Sequence, residues 1–515
     1  MPDLTVMRRP FSKRFLVIDA AVIAFVVAMV VLLVSIGTGA GSDPTLPAGA
    51  ARVDVSAHAY GRPIAPGFLG LSLEYSSIEG YAGTDPRSVD PVFTQLIRNL
   101  DPGQSPVLRI GGDSTDWTWW PVPGMSKPPG VTFTLGPRWL AVARALTNQL
   151  HARLILGINL EADSVHLAGI EARMLIDGLG RDSVQALELG NEPALYDTFP
   201  WYRTADGVKV PGRPRGYDVP AYTRDFSEFA AALPRVPLAG PALGASKWMR
   251  NLAPFLASQK RLGMVTLHRY PLQLCYTSTK SQMHPTLEHL LATAATTGLA
   301  AAFTRQIATS HRYGLPLRID EINTVSCGAD RAVSDTFASS LWAVDAMFEL
   351  ARVGVDGVNL HTFPGAGYEL FKLTRTGGRW QASVPPEYYG LLMFARAAPP
   401  GSRLLRIGTA GCGAVKCWAT RAPDGTIRVV LINKRPTGHL LALRLPHEHG
   451  DATLQRLEAP GLRASTGVTL AGQSFGARTT TGTLSGSAHQ DALHPVQGRY
   501  VVRLPGASAA MLTAR

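Results

Sequence analysis

Charge is scarce in this chain, and lysine is scarcer still. Asp, Glu, Lys and Arg make up 17% of the 515 residues, against about 25% in an average soluble protein. Long solvated charge runs are therefore excluded, and with them tails that stay unfolded through self-repulsion. Of 50 basic residues only nine are lysine, and the arginines are scattered rather than blocked. The formal charge of +12 thus has no focus. No nucleic-acid motif accompanies it, so no nucleic-acid partner is expected, although a basic surface attracts acidic polymers or anionic lipid. No heptad or solenoid-length repeat is present. The 51 Gly and 38 Pro follow no triplet period, which excludes collagen and leaves many turns. No phosphate loop and no His-Glu-x-x-His helix appears, which removes the sequence basis for nucleotide or zinc-protease chemistry. Cysteine is limited to Cys275, Cys327, Cys412 and Cys417, with no Cys-x-x-Cys. Neither a metal site nor a cofactor is expected.

Hydrophobic residues are plentiful, at 46%, and some of them form an N-terminal targeting segment. Arg8, Arg9, Lys13 and Arg14 precede an apolar stretch over Phe15–Ile36 broken only by Asp19 and Ser35. A spanning helix needs about 20 apolar residues, whereas the core of a signal peptide needs only ~7–15. The positive flank should stay in the cytoplasm. The expected arrangement is a cytoplasmic flank over 1–14, a single-pass membrane anchor over 15–36 and a Gly/Pro/Ala-rich linker over 37–51, with the remainder outside the cytoplasm. The alternative is cleavage at the small residues Thr38–Ala40 or Ala48–Ala50, which would leave a secreted chain.

Between 65 and 400, short apolar runs alternate with helical patterns. The runs are Phe68–Leu73, Val107–Ile110, Leu154–Leu160, Val184–Leu189, Val236–Ala239, Met264–Leu267, Leu315–Ile319 and Gly357–Leu360. Helical periodicity fills Val92–Leu100, Arg138–Leu150, Ala221–Leu233 and Phe337–Val353. Strands alternating with helices imply a parallel sheet, and eight such units predict a (β/α)8 barrel of the α/β class. From 401 to 515 the texture changes to short β-type runs separated by turn residues, as at Pro423-Asp424-Gly425, which predicts an all-β sandwich. Residues 52–64 start with a strand-like alternation and are expected to join that sandwich. Four cysteines allow three pairings. Cys412 and Cys417 flank Gly413-Ala414-Val415-Lys416 and are expected to staple a hairpin. Cys275 and Cys327 follow the sixth and seventh runs, and adjacent loops should bring them together.

Polar residues gather where a barrel places its active site, at the C-terminal ends of the strands. The first run ends in Glu74-Tyr75 and the second continues into Arg109-Ile110-Gly111-Gly112-Asp113. The third ends in Glu161 and the fourth in Gly190-Asn191-Glu192-Pro193. The sixth continues into His268-Arg269-Tyr270, the seventh into Asp320-Glu321-Ile322-Asn323, and the eighth ends at His361. Strands four and seven face each other across the mouth of such a barrel, so Glu192 and Glu321 are the candidate carboxyl pair. Cleaving a glycosidic bond needs one carboxyl to protonate the leaving oxygen and another to attack the anomeric carbon or activate water. Trp117, Trp119 and Trp120, in the loop after the second run, are either a stacking surface for sugar rings or an anchor for that loop.

These motifs resemble glycoside hydrolase family 79, the clan A family of β-glucuronidases and heparanase. The resemblance rests on Leu108-Arg109-Ile110-Gly111-Gly112, Gly190-Asn191-Glu192-Pro193 and Leu317-Arg318-Ile319-Asp320-Glu321-Ile322-Asn323. It extends through Leu267-His268-Arg269-Tyr270-Pro271 and Tyr388-Tyr389-Gly390-Leu391 to the closing Tyr500-Val501-Val502-Arg503-Leu504-Pro505. It implies a retaining glycosidase with Glu192 as acid/base and Glu321 as nucleophile, with Arg109 beside the nucleophile and Asn191 bonding the sugar 2-hydroxyl. Glu74 is a further candidate substrate contact. The uronate carboxylate is held in that family by backbone amides after the nucleophile and by nearby tyrosines, which points to Gly328, Tyr270 and Tyr368. The function expected is hydrolysis of β-linked glucuronides. The alternatives are a barrel glycosidase for a neutral sugar and a catalytically silent carbohydrate-binding protein at the cell surface.

Overall fold

The computed structural model describes residues 45–244, 247–275, 278–408, 412–447 and 450–515. The expected anchor over 15–36 and its basic flank lie outside the described residues. Among the described residues, no helix is long and apolar enough to cross a membrane.

An N-terminal strand, β1 (Ala51–Tyr60), precedes eight barrel strands. These are β2 (Leu69–Glu74), β3 (Val107–Gly111), β4 (Arg153–Ile158), β5 (Val184–Leu189), β6 (Leu238–Leu243), β7 (Leu262–His268), β8 (Leu317–Ile322) and β9 (Gly357–Thr362). They pair in sequence order, all parallel, and β9 returns to β2 to close the barrel. Each of the eight apolar runs becomes one of these strands. The fifth run ends at Ala239 in the sequence pattern, whereas the strand continues through Gly240-Pro241 to Leu243.

Alternate residues of a strand point to opposite faces, and both faces are used here. Leu108 and Ile110, Leu154 and Leu156, and Leu187 and Leu189 pack outward into the core shared with the helices. Val107, Ile155, Ala186, Ala239 and Met264 form a separate small cluster, the apolar filling of the barrel interior. Arg109 and Glu188 follow Val107 and Ala186 on that inward face, two residues nearer the strands' C-terminal ends. The interior is thus apolar lower down and charged just beneath the mouth.

The C-terminal sheet is built from β10 (Arg403–Ile407), β11 (Lys416–Arg421), β12 (Ile427–Asn433), β13 (His439–Arg444), β14 (Ala452–Glu458), β15 (Thr469–Leu470), β16 (Asp491–Leu493), β17 (Tyr500–Leu504) and β18 (Ser508–Ala514). Its order is β15-β14-β18-β12-β11-β10-β1-β13-β17, with β16 added at β14. β1 bridges the sheet: Ala51–Asp54 run parallel to Leu441–Arg444, and its second half runs antiparallel to β10. Residues from distant parts of this path, such as Val429 and Leu512 at one end and Leu443 and Val502 at the other, meet in one core. The sheet therefore folds over its own apolar face.

Its opposite face lies on the barrel. Val430 and Ile432 of β12 join the barrel core, while their neighbours Val429 and Leu431 face the sheet core, so β12 is buried on both sides. The barrel face is supplied by α1 (Phe337–Val353) and α2 (Pro386–Ala397). Lys434 Nζ pairs with Asp345 Oδ2 of α1 at 2.7 Å, the Trp418 indole donates to Asp345 Oδ1 at 3.0 Å, and Lys416 Nζ pairs with Glu349 Oε1 at 2.6 Å. Burial works against the charge on Asp345, but Lys434 and Lys416 outweigh it and hold the carboxyl below its ordinary range. Two disulfides, Cys275–Cys327 and Cys412–Cys417, close loops on the barrel and the sheet respectively.

Candidate active site

Arg109 is the centre of the barrel mouth and has no solvent exposure. Its Nε donates to Glu188 Oε2 at 2.7 Å, Nη1 donates to Glu321 Oε2 at 2.7 Å and to Ser72 Oγ at 3.1 Å, and Nη2 donates to Asn191 Oδ1 at 2.9 Å. One guanidinium fork therefore orients residues from β2, β5 and β8 and from the loop after β5, which no single lysine head could do.

Glu321 reaches this fork because β8 carries a bulge. Leu267 of β7 pairs with Ile319, but the next residue, His268, pairs with Glu321. The extra residue breaks the alternation, so consecutive Asp320 and Glu321 both turn toward Arg109. The second oxygen of Glu321 accepts from Tyr270 Oη at 3.0 Å. Burial pushes the Glu321 carboxyl up, but His361, His268 and Arg109 around it outweigh burial and hold it well below the ordinary carboxylate range. It is an anion at any physiological pH.

Glu192 stands opposite, in a left-handed backbone conformation, with its amide bonded to Ala242 O at 3.0 Å. Its Oε1 lies 3.1 Å from His268 Nδ1. Oxygens of Glu192 and Glu321 and a ring nitrogen of His268 all lie within 4.8 Å of one another. Glu192 is the more exposed of the two, its side chain 25% accessible against 10% for Glu321. Gly244 allows this placement: a Cβ there would sit 2.2 Å from Glu192 Oε1.

Glu74 lies at the same mouth. It accepts from the Asp113 and Ser114 amides at 3.2 and 2.8 Å, and His361 Nε2 lies 3.3 Å from it. The Gly111-Gly112 pair has a steric cause here, since a Cβ on Gly112 would meet Glu74 Oε1 at 2.2 Å, and its φ is +71°. Burial works against the positive charge of His361, but Glu321 and Glu74 more than compensate and raise its pKa. Asn191 donates its Nδ2 to Asp113 Oδ1 at 3.2 Å. Burial, together with the charges of Glu74 and Glu321, pushes Asp113 up to about 8.

Tyr270 and Tyr368 pack with centroids 6.0 Å apart, in a small apolar cluster with Ala366 against Ala329 and Phe363. Gly328 lies next to Ala329 in the loop that the Cys275–Cys327 disulfide ties to the loop after β7. The structure thus gathers Glu74, Arg109, Asn191, Glu192, Tyr270 and Glu321 into one bonded network. It sets Tyr368 beside Tyr270 and brings the Gly328 loop against the loop that carries Tyr368. Trp119 is buried with Val131 and Leu167, anchoring its loop, whereas Trp117 is 39% exposed.

Sequence reasoning passed over Asp116. Its Oδ1 accepts the Leu160 and Glu161 amides at 2.9 and 3.1 Å, and its Oδ2 accepts the Asn191 amide at 2.9 Å and Tyr196 Oη at 2.6 Å. It ties the ends of three barrel strands together. A lone Asp in a Ser-Thr-Asp-Trp loop carries no motif that would have marked it.

Residues 417–511 match the family model described as the glycosyl hydrolase family 79 C-terminal beta domain. The chain is 24% identical to a β-glucuronidase of Neurospora crassa, over 68% of this chain and 67% of that protein. It is 23% identical to a β-glucuronidase of Aspergillus niger, over 80% of this chain and 83% of that protein. Among solved structures, a 4-O-α-L-rhamnosyl-β-D-glucuronidase from Fusarium oxysporum superposes with a TM-score of 0.66. It is 17% identical, and the match covers 90% of this chain and 100% of that one.

Proposed function

Starting from a chain that is a glycoside hydrolase of family 79, we propose that it hydrolyses β-linked glucuronides by a retaining double displacement. The observation that carries this is the pairing of Glu192 with Glu321. Their carboxyl oxygens approach within 4.8 Å, which belongs with the ~5–5.5 Å separation of retaining enzymes rather than the ~6.5–9.5 Å of inverting ones. Arg109 and Tyr270 grip Glu321 as an anion, as a nucleophile requires.

In the first step Glu321 attacks the anomeric carbon while Glu192 gives its proton to the glycosidic oxygen, so the aglycone leaves as a neutral alcohol. The glycosyl ester on Glu321 no longer carries a charge. Water then enters, Glu192 removes its proton, and the new C–O bond displaces the ester and restores both carboxyls. Asn191, held by Arg109 and Asp116, bonds the sugar 2-hydroxyl in this reading. The uronate carboxylate is assigned to the side of the mouth formed by Tyr270, Tyr368 and the Gly328 loop. The names of the two fungal relatives support the glucuronide.

A panel of aryl β-glycosides tests the assignment. Release from the glucuronide, and far less from the matching glucoside, is expected. Preference for the glucoside would make this a neutral-sugar enzyme, and release from none would leave a sugar-binding protein.

A further inference from the structure

Beneath the candidate nucleophile lies a second pair of carboxyls that the displacement does not use. Glu188 of β5 and Asp320 of β8 are both fully buried. Arg109 Nε is 2.7 Å from Glu188 Oε2 and 3.3 Å from Asp320 Oδ2. His268 Nε2 is 3.5 Å from Asp320 Oδ1. The other groups facing the pair are Thr266 of β7 and Glu321, which adds a third negative charge. Three carboxyls thus surround one guanidinium with no solvent. Glu188 Oε1 and both oxygens of Asp320 have no donor. Buried unbonded carboxylates are costly, and a single proton between the two acids neutralises one of them and gives two of these three oxygens a partner.

We propose that Glu188 and Asp320 share one proton, carried by Asp320, and that the pair positions Arg109 for the reaction proposed above. The shorter contact to Arg109 puts the charge on Glu188 and leaves Asp320 as the neutral donor to the free Glu188 oxygen. Burial and the neighbouring Glu188 both raise Asp320 well above its ordinary range, whereas Arg109 helps to hold Glu188 low despite its burial. An ionised Glu188 takes the Nε edge of the guanidinium. Nη1 and Nη2 are then aimed at Glu321 and Asn191. A second full charge on Asp320 would compete with Glu321 for the same cation. Glu188 and Asp320 are positioning residues and touch no substrate.

Infrared difference spectra and pH–rate profiles of two isosteric variants test this. Asp320→Asn keeps a neutral donor to Glu188. Its kcat/KM should stay within roughly threefold of wild type with an unmoved acid limb, because Glu321 keeps its partners. The wild-type-minus-variant spectrum should show the carbonyl stretch of one protonated acid. Glu188→Gln removes the anion from the Nε edge. The charge then settles on Asp320, so the same acid band disappears. kcat/KM should fall by roughly 10- to 100-fold, with the acid limb moved upward as Arg109 slackens its hold on Glu321. A missing acid band in the Asp320→Asn difference, or an acid limb displaced by that variant, would show Asp320 to be ionised and overturn the proposal. The infrared comparison needs no substrate. It still decides the protonation if no glycoside is turned over, a result that would count against the proposed reaction alone.

Discussion

Replacing Glu192 by alanine separates the two halves of the proposed reaction. An aryl glucuronide with a good leaving group needs little protonation, so Glu321 should still form the glycosyl ester. Its hydrolysis then stalls, since no group remains to take the proton from water. General acid–base catalysis by a positioned carboxyl contributes ~10²–10⁴-fold, or about 3–5 kcal/mol of barrier, and kcat should fall by that amount after an initial burst. The structure shows where a replacement nucleophile would enter. Truncation opens the space between His268 Nδ1, 3.1 Å from the lost oxygen, and Gly244, which has no side chain to fill it. Azide fits that gap, accepts from His268 and needs no base. Added azide should therefore restore turnover and give the β-glycosyl azide, identified by NMR. An α-azide would mean inversion at the anomeric carbon and refute the retaining assignment. Formation of the β-azide by a Glu321→Ala enzyme, and not by Glu192→Ala, would show the two roles reversed.

Tyr368→Phe should slow glucuronide turnover roughly 10- to 100-fold more than glucoside turnover, the worth of a buried hydrogen bond to a charge; equal losses would free Tyr368 of any role in reading the carboxylate. Lys434→Met strands the buried Asp345 without its closest cation and should cost ~3–5 kcal/mol in urea unfolding at pH 7. Because Asp345 is held below its unfolded value, the stability it confers is complete above about pH 4 and disappears as pH falls through the depressed folded value. The penalty of Lys434→Met should therefore shrink in acid, and one that is independent of pH would disprove the link. Cutting the Cys275–Cys327 bridge, which spans 52 positions, should cost up to ~4 kcal/mol in the chain-entropy model, seen as a lower melting temperature of the double serine variant; non-reduced peptide maps showing free thiols at both positions would contradict the pairing. For the apolar stretch over 15–36, N-terminal sequencing of membrane-fractionated protein should find an uncleaved start, and a mature start near Gly41 or Ala51 would replace the anchor with a secreted chain.

The barrel was legible because its strands are buried on both faces and so read as apolar runs, as Val184–Leu189 does, ended by polar tips. Glu192 and Glu321 stood out because each follows such a run. The buried acids did not stand out. Glu188 sits inside a run as a lone charge, and an inward-facing carboxyl looks like noise until Arg109 is seen across the barrel. Asp320 was masked by Glu321, since strict alternation sends neighbours to opposite faces and only the bulge in β8, opposite His268, brings both inward. In the C-terminal sheet, β10 and β18 carry weak strand signals for different reasons. Arg403–Ile407 carries arginines at both ends of its apolar centre, and Ser508–Ala514 is rich in alanine, a poor strand former.

The position of β1 makes the chain wait for itself. Ala51–Tyr60 leaves the ribosome before any barrel strand, yet both of its partners, Arg403–Ile407 and His439–Arg444, lie beyond the whole barrel sequence. Until they arrive the strand has two open edges, and such edges invite pairing with other chains. Segments made after the barrel therefore lock a strand made before it. A fragment ending near residue 400 would carry an orphan strand and an uncovered α1–α2 face, so the catalytic barrel should not be recoverable as a separate domain by truncation.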